Sequence, residues 1–262
     1  MGQETMNILI ASLSALATIA AAIIYYWTLR EIKRQRQNTY RPHLFIDSIS
    51  YNVIGVEKEK IIMPLHWTNK PEDHNTIRKF GNDINTHDFN LHCYNIGFGT
   101  AKKVDIKFKY DMDGFIEKIN KLGKNVDPKL LIEIKNNSEF VSFLNQNEAL
   151  PFIQCGISTK YSMHDYLSYV LPVNISNTYI PIKMPALYLE LLNISIHYLS
   201  NLKDKSECFE GDDFACFFPI IKATIIYEDI YNKPESKNIE IVTELYASGS
   251  IGYCGRFKIN EI

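Results

Sequence analysis

Twenty-two consecutive residues without a charge, Ile8 to Leu29 (ILIASLSALATIAAAIIYYWTL), decide where this chain can reside. As a helix the run reaches about 33 Å, enough to cross a hydrocarbon core of about 30 Å. A cleaved leader would need a basic start and a shorter apolar core, whereas residues 1–7 hold Glu4 and no Lys or Arg. The run therefore reads as an uncleaved transmembrane helix. Arg30, Lys33, Arg34 and Arg36 follow immediately. By the positive-inside rule, residues 1–7 are expected outside and residues 43–262 in the cytoplasm, with a single pass through the inner (plasma) membrane. Tyr25, Tyr26 and Trp27 lie at the same end, where amphipathic rings favour the headgroup level.

Within the span, Ala11, Ser14, Ala15, Thr18, Ala21 and Ala22 follow helical spacing and form one stripe of small residues. Small side chains allow close backbone approach between helices in lipid, so this stripe is the expected self-association face of a homo-oligomer. Residues 30–42 read as a basic juxtamembrane stalk. The helix is expected to continue for one to three turns before Arg41-Pro42 stops it, because a residue preceding proline is pushed out of the helical region. The cations Arg30, Lys33, Arg34 and Arg36 are placed to hold membrane lipid headgroups, at about 1 kcal/mol each near an anionic surface.

Past Pro42 the periodicity becomes two. In Lys103 to Tyr110, Val104, Ile106, Phe108 and Tyr110 alternate with charged residues, as a strand with one wet face requires. Similar segments occur at 44–53, 60–67, 88–96, 139–144, 187–199, 220–227, 238–246 and 251–259, each rich in strand-forming residues. Only 114–121 and 163–170 read as helices. A mainly β fold is expected for 43–262: one antiparallel immunoglobulin-like β-sandwich, enlarged by insertions at 68–86, 155–185 and 200–218. Ile220 to Tyr246 reads as a hairpin with a loop longer than a tight turn.

Asn95-Ile96-Gly97-Phe98-Gly99-Thr100-Ala101, followed by the strand KKVDIKFKY, forms an N-x-G-x-G-x-A pattern. Its glycines are expected to supply backbone angles that a side chain resists, and Ala101 to allow close packing. This turn resembles that of CARDB-type immunoglobulin-like sandwiches carried by bacterial single-span membrane proteins. Arg41-Pro42-His43-Leu44 and Ile226-Tyr227-Glu228-Asp229 resemble further landmarks of that group. The resemblance implies fold and topology, with Asn95, Gly97, Gly99 and Ala101 as a structural turn, and carries no catalytic residue. Some members lie beside phage-defence genes, which makes a membrane-acting antiviral effector one expected role.

The chain has 28 basic and 30 acidic residues. Setting aside the five basic and two acidic residues before residue 43 leaves a net charge of −5 downstream, so no nucleic-acid partner is expected. The glycine turn fails the dinucleotide pattern G-x-G-x-x-G/A because Lys102 stands at its last place. Asp127 with Glu133-Ile134-Lys135 is the one arrangement like a metal-dependent nuclease. His87 and His92, five apart on a strand, point to opposite faces and make poor joint metal ligands. Five cysteines without a CxxC pair give neither a disulfide framework nor a zinc ribbon. The expected function is a non-enzymatic, membrane-tethered binding module with a protein partner and no cofactor or metal. Its rivals are a membrane-anchored hydrolase and an accessory subunit of a larger membrane complex.

Overall fold

The computed structural model describes residues 2–58, 61–68, 89–126, 132–136, 140–145, 154–158, 163–201, 217–248 and 252–262. Helix α1 covers Gln3–Thr39 and runs straight through the apolar segment. It is long and apolar enough to cross a membrane, and its side chains are exposed along the whole span. Everything after it is mainly β, and every ladder between named strands is antiparallel.

The largest sheet has seven strands. They are β2 (Ile49–Lys58), β3 (Ile61–Thr68), β5 (Ala101–Lys109), β9 (His164–Val170), β11 (Ile221–Glu228), β12 (Pro234–Ser248) and β13 (Gly252–Glu261), in the order β3-β2-β13-β12-β11-β5-β9. This sheet curls into a half-barrel. A second sheet, β1-β4-β10, joins Leu44–Ile46, Asn90–Asn95 and Ile180–Lys183, and a third joins β6 (Ile132–Asn136), β7 (Phe140–Asn145) and β8 (Gln154–Ser158). Helices α2 (Met112–Gly123) and α3 (Ala186–Ser200) pack against each other.

Alternation places the core. Val104, Ile106 and Phe108 of β5 are buried beside Ile221, Ala223 and Ile225 of β11, while the lysines of β5 face water. Leu91 and Cys93 of β4 join the same core with Leu44, Ile46 and Ile182, so the first two sheets share one apolar interior. Burial pushes the Cys93 thiol up to about 12, the behaviour of an inert buried cysteine. Tyr51, Trp67, Phe89 and Phe257 form an aromatic cluster at one end, with Tyr51 4.9 Å from Trp67 and 4.7 Å from Phe257 between ring centres. Such pairs add about 0.5–1.5 kcal/mol each beyond area burial. The hairpin expected over 220–246 is β11 and β12, joined by the loop 229–233.

Three expectations need correction. Residues 187–199 are helix α3 and not a strand. Asn193, Ser195 and His197 alternate with Ile194, Ile196 and Tyr198, which mimics a strand, yet Glu190, Asn193, His197 and Asn201 recur at i, i+3, i+7 and i+11, the period of a helix. Residues 163–170 form edge strand β9 and not a helix, consistent with the strand preference of Tyr166, Tyr169 and Val170. The segment 44–53 is two strands, because the chain leaves the small sheet at Ile46 and enters the large one at Ile49. Between them Ser48 Oγ accepts a hydrogen bond from Ile259 N at 2.8 Å. The helix expected over 114–121 is α2. Asp111 Oδ1 caps it by accepting from Gly114 N at 3.0 Å, and Phe115, Ile116, Ile119 and Leu122 are buried on one face.

Candidate functional site: the junction of the apolar helix and the β domain

The stripe of small residues expected to mediate self-association stays open along α1. Ala11, Ser14, Ala15, Thr18, Ala21 and Ala22 are all exposed, on one side of the helix by their spacing. Thr18 Oγ1 donates to Ser14 O at 2.8 Å, so its hydroxyl proton is satisfied within the helix. Ser12 and Thr28 bond back in the same way. Arg30, Lys33, Arg34 and Arg36 occupy the last turns of the same helix and are exposed. The helix ends at Thr39 with Tyr40 as its cap, one residue before Arg41-Pro42, where proline chemistry places the stop.

The N-x-G-x-G-x-A turn lies against the end of that helix. Asn95 is 1% exposed and uses its side chain fully. Its Oδ1 accepts from His43 N at 3.0 Å and Gly97 N at 3.1 Å, while its Nδ2 donates to Gly99 O at 2.7 Å and Val170 O at 3.1 Å. One amide thus joins the segment after α1, its own turn and the end of β9. The backbone of Asn95 adds two further ties, since its carbonyl accepts from Val173 N at 2.9 Å and it bridges to Pro172.

The glycines act by close approach and not through unusual backbone angles: neither has a left-handed φ. A Cβ on Gly97 would stand 2.5 Å from His43 N and 2.9 Å from the carbonyl carbon of Pro42. One on Gly99 would stand 2.7 Å from the carbonyl carbon of Tyr40. Both are contacts with backbone, which cannot swing aside. Ala101 is fully buried at the start of β5, as the pattern requires. The left-handed residue of this region is Lys103, at φ 51°, close to where the pairing of β5 with β11 shifts register.

A polar collar completes the junction. Arg41 donates to Glu235 at 2.5 Å, and Lys237 donates to Leu44 O at 2.7 Å while pairing with Glu261. The Lys237 hydrogen bond holds the Glu261 carboxyl below its usual range. The sequence marks Arg41 and His43 only as part of the Arg41-Pro42-His43-Leu44 landmark, without their contacts, and does not mark Glu235 or Lys237. The signal for His43 was the asparagine heading the glycine turn, a residue type that bonds two backbone groups at once. The glutamate and Lys237 carried no local signal, because their partners lie about 190 residues away in sequence.

Other candidates are placed as follows. His92 stacks on Tyr179 with ring centres 3.7 Å apart, and burial lowers its pKa although Asp47 pulls the other way. His87 and Asp127 lie outside the described residues, as do the side chains of Glu133 and Lys135 on β6. Among the described residues no group of three His, Cys, Asp or Glu is arranged to hold a metal ion. Asp165 accepts from the backbone N–H groups of Tyr166 and Lys183, a structural use of its carboxylate. No protein-family model, curated protein or solved structure matches the chain.

Proposed function

We propose that the chain is a non-enzymatic, membrane-tethered binding module: α1 spans the inner membrane, and the β domain, an elaborated immunoglobulin-like sandwich, faces the cytoplasm and takes a protein partner. The observation that carries this reading is the junction. Asn95, Gly97 and Gly99 fasten the end of the apolar helix to the domain through backbone contacts. A partner that favours one orientation of the domain therefore also favours one arrangement of the helices, which is the condition for binding to act on the membrane. The open stripe from Ala11 to Ala22 supports self-association as that arrangement. The four cations after Leu29 support the cytoplasmic orientation and contact with lipid headgroups. A membrane-acting antiviral effector is one form this role takes.

The test is affinity purification of the full chain from native membranes in mild detergent, together with a magnesium-dependent nuclease assay. A protein partner recovered without hydrolysis supports the module, whereas a neighbouring gene product recovered at fixed stoichiometry favours the accessory subunit of a larger membrane complex. Turnover abolished by Glu133→Ala overturns it in favour of the membrane-anchored hydrolase. In the same membranes, a cysteine at Ala15 should crosslink between copies and one at Leu13 should not; equal crosslinking at both removes the stripe from the account.

A further inference from the structure

We infer that the stalk-facing end of the β domain is itself a lipid-contacting surface, through three loop tips that insert apolar side chains at the membrane from which α1 emerges. The inference rests on the reading of Ile8–Leu29 as a membrane span. Three loops meet at this end: the turn 96–100 after β4, the loop 171–179 after β9, and the hairpin loop 229–233 between β11 and β12. The first touches the end of α1 through Gly97 and Gly99. The second is tied to it by the bond from Val173 N to Asn95 O, and the third by Lys102, whose Nζ reaches Ile230 O at 3.4 Å and Asn232 Oδ1 at 2.9 Å.

These loops turn Asn174, Asn177, Thr178, Asn232 and Lys233 to water in the usual way, but they combine this with buried polar anchors and exposed apolar side chains. Asn95 and Asp229 point inward and are almost fully buried. Asp229 Oδ1 accepts from Tyr231 N at 2.7 Å and Lys233 N at 2.8 Å, which closes the hairpin loop. Ile175 N and Ser176 N both donate to Pro172 O, closing the middle one. The large apolar side chains also left outside are Ile96, Phe98 (62% exposed), Ile175 (67% exposed), Ile230 and Tyr231, while Tyr179, exposed as well, stacks on His92. Single exposed apolar residues are ordinary, but five on three hydrogen-bonded tips at one end are a surface with a purpose.

The position and charge of the surface select the occupant. It stands at the end of the domain that carries the apolar helix, so a bilayer is present by construction at a fixed range. Arg41, Lys102, Lys103 and Lys233 surround the tips; Arg41 and Lys233 pair with the half-buried Glu235 and Lys103 with the half-buried Glu228, and with the buried Asp229 counted one positive charge remains in excess. The excess is cationic, as a surface meeting anionic headgroups requires. Thr39 lies about 15 Å beyond Leu29, of which about 5–7 Å is headgroup layer, and helix tilt, which reaches about 40° among membrane helices, brings this end of the domain closer to the surface.

The test uses the full chain in native membranes with a benzophenone photo-crosslinker substituted singly at Trp27, Phe98, Tyr231 and Ile220. Ile220 is exposed at the far end of the eight-residue strand β11, about 26 Å from the hairpin loop. Lipid adducts at positions 98 and 231 at least fivefold above position 220 are expected, with position 27 as the reference for lipid contact. Adducts at 27 with none above background at 98 and 231 overturn the inference and leave the span intact. Protein adducts at 98 and 231 in place of lipid overturn it in favour of a partner or second copy on this surface. Absence of lipid adducts at 27 removes the membrane reading itself.

Discussion

Helices α1 and α3 are both rich in Leu and Ile, yet their surroundings are opposite. Along α1 the side chains of Leu13, Leu16, Ile19 and Ile23 are 53–63% exposed, while from Leu187 to Leu199 no side chain of α3 exceeds 6%. Length separates them first: the 37 residues of α1 exceed a bilayer, whereas the 15 of α3 reach only about 22 Å. Polarity separates them second, and in the reverse of the naive direction. The exposed helix has no charge over its span, and the buried one carries Glu190, Asn193, Ser195 and His197. Those groups are tolerated because the protein supplies partners. Trp67 Nε1 donates to Asn193 Oδ1 at 2.8 Å, Asn193 Nδ2 to Glu190 Oε2 at 3.2 Å, and Ser195 Oγ to Leu191 O at 2.8 Å. A bilayer offers nothing equivalent, so an apolar helix with a polar stripe belongs in a protein core and one without it can belong in lipid.

One substitution applied to both helices gives the largest contrast. Leu192→Ala should cost the β domain about 2–5 kcal/mol by opening a cavity beside α3. Leu16→Ala should leave denaturant unfolding of the domain within about 0.5 kcal/mol of the parent. Urea titrations of the full chain in detergent measure both, and equal losses would mean that α1 packs on the domain. Asn193→Leu should cost about 1–3 kcal/mol, because it strips the acceptor from the buried indole N–H of Trp67. Read in a Trp27→Phe background, the Trp67 emission should change with it, and an unaltered spectrum would show that this bond does not order the core. The smallest effect concerns pH at the small sheet. Because burial lowers the His92 pKa below its ordinary 6.5, the folded state favours the neutral ring. Its contribution is complete above that value and fades as pH falls through the lowered one. His92→Gln should therefore flatten the loss of stability below about pH 6.5, and an identical slope in parent and variant would assign that loss to other groups.

What was legible followed from local periodicity. Alternation in Lys103 to Tyr110 gave β5 and its buried face, the uncharged run gave α1, and Arg41-Pro42 gave its end. Leu187 to Leu199 was misread because its alternating polar residues satisfy period two over a short stretch, and only the longer spacing from Glu190 to Asn201 discriminates. The site was half legible. Asn95, Gly97, Gly99 and Ala101 were visible as a pattern, but the physical reason for the glycines was not. It depends on Tyr40 to His43 lying against them, more than fifty residues away along the chain and brought there by the pairing of β1 with β4.

The fit between Gly97, Gly99 and the segment 40–43 also sets where this molecule can be cut. The apolar helix and the β domain share those four residues, since the donor for Asn95 and the carbonyls that fill the notch above the glycines belong to the helix side. A soluble version starting at Leu44 would bare that notch and take one of the two donors from the buried Asn95 amide oxygen, while one starting a residue or two before Tyr40 would carry its own plug. The useful scissile border therefore falls inside the last turn of the rod, and transplanting a different helix onto this domain means keeping residues 40–43 as an adaptor.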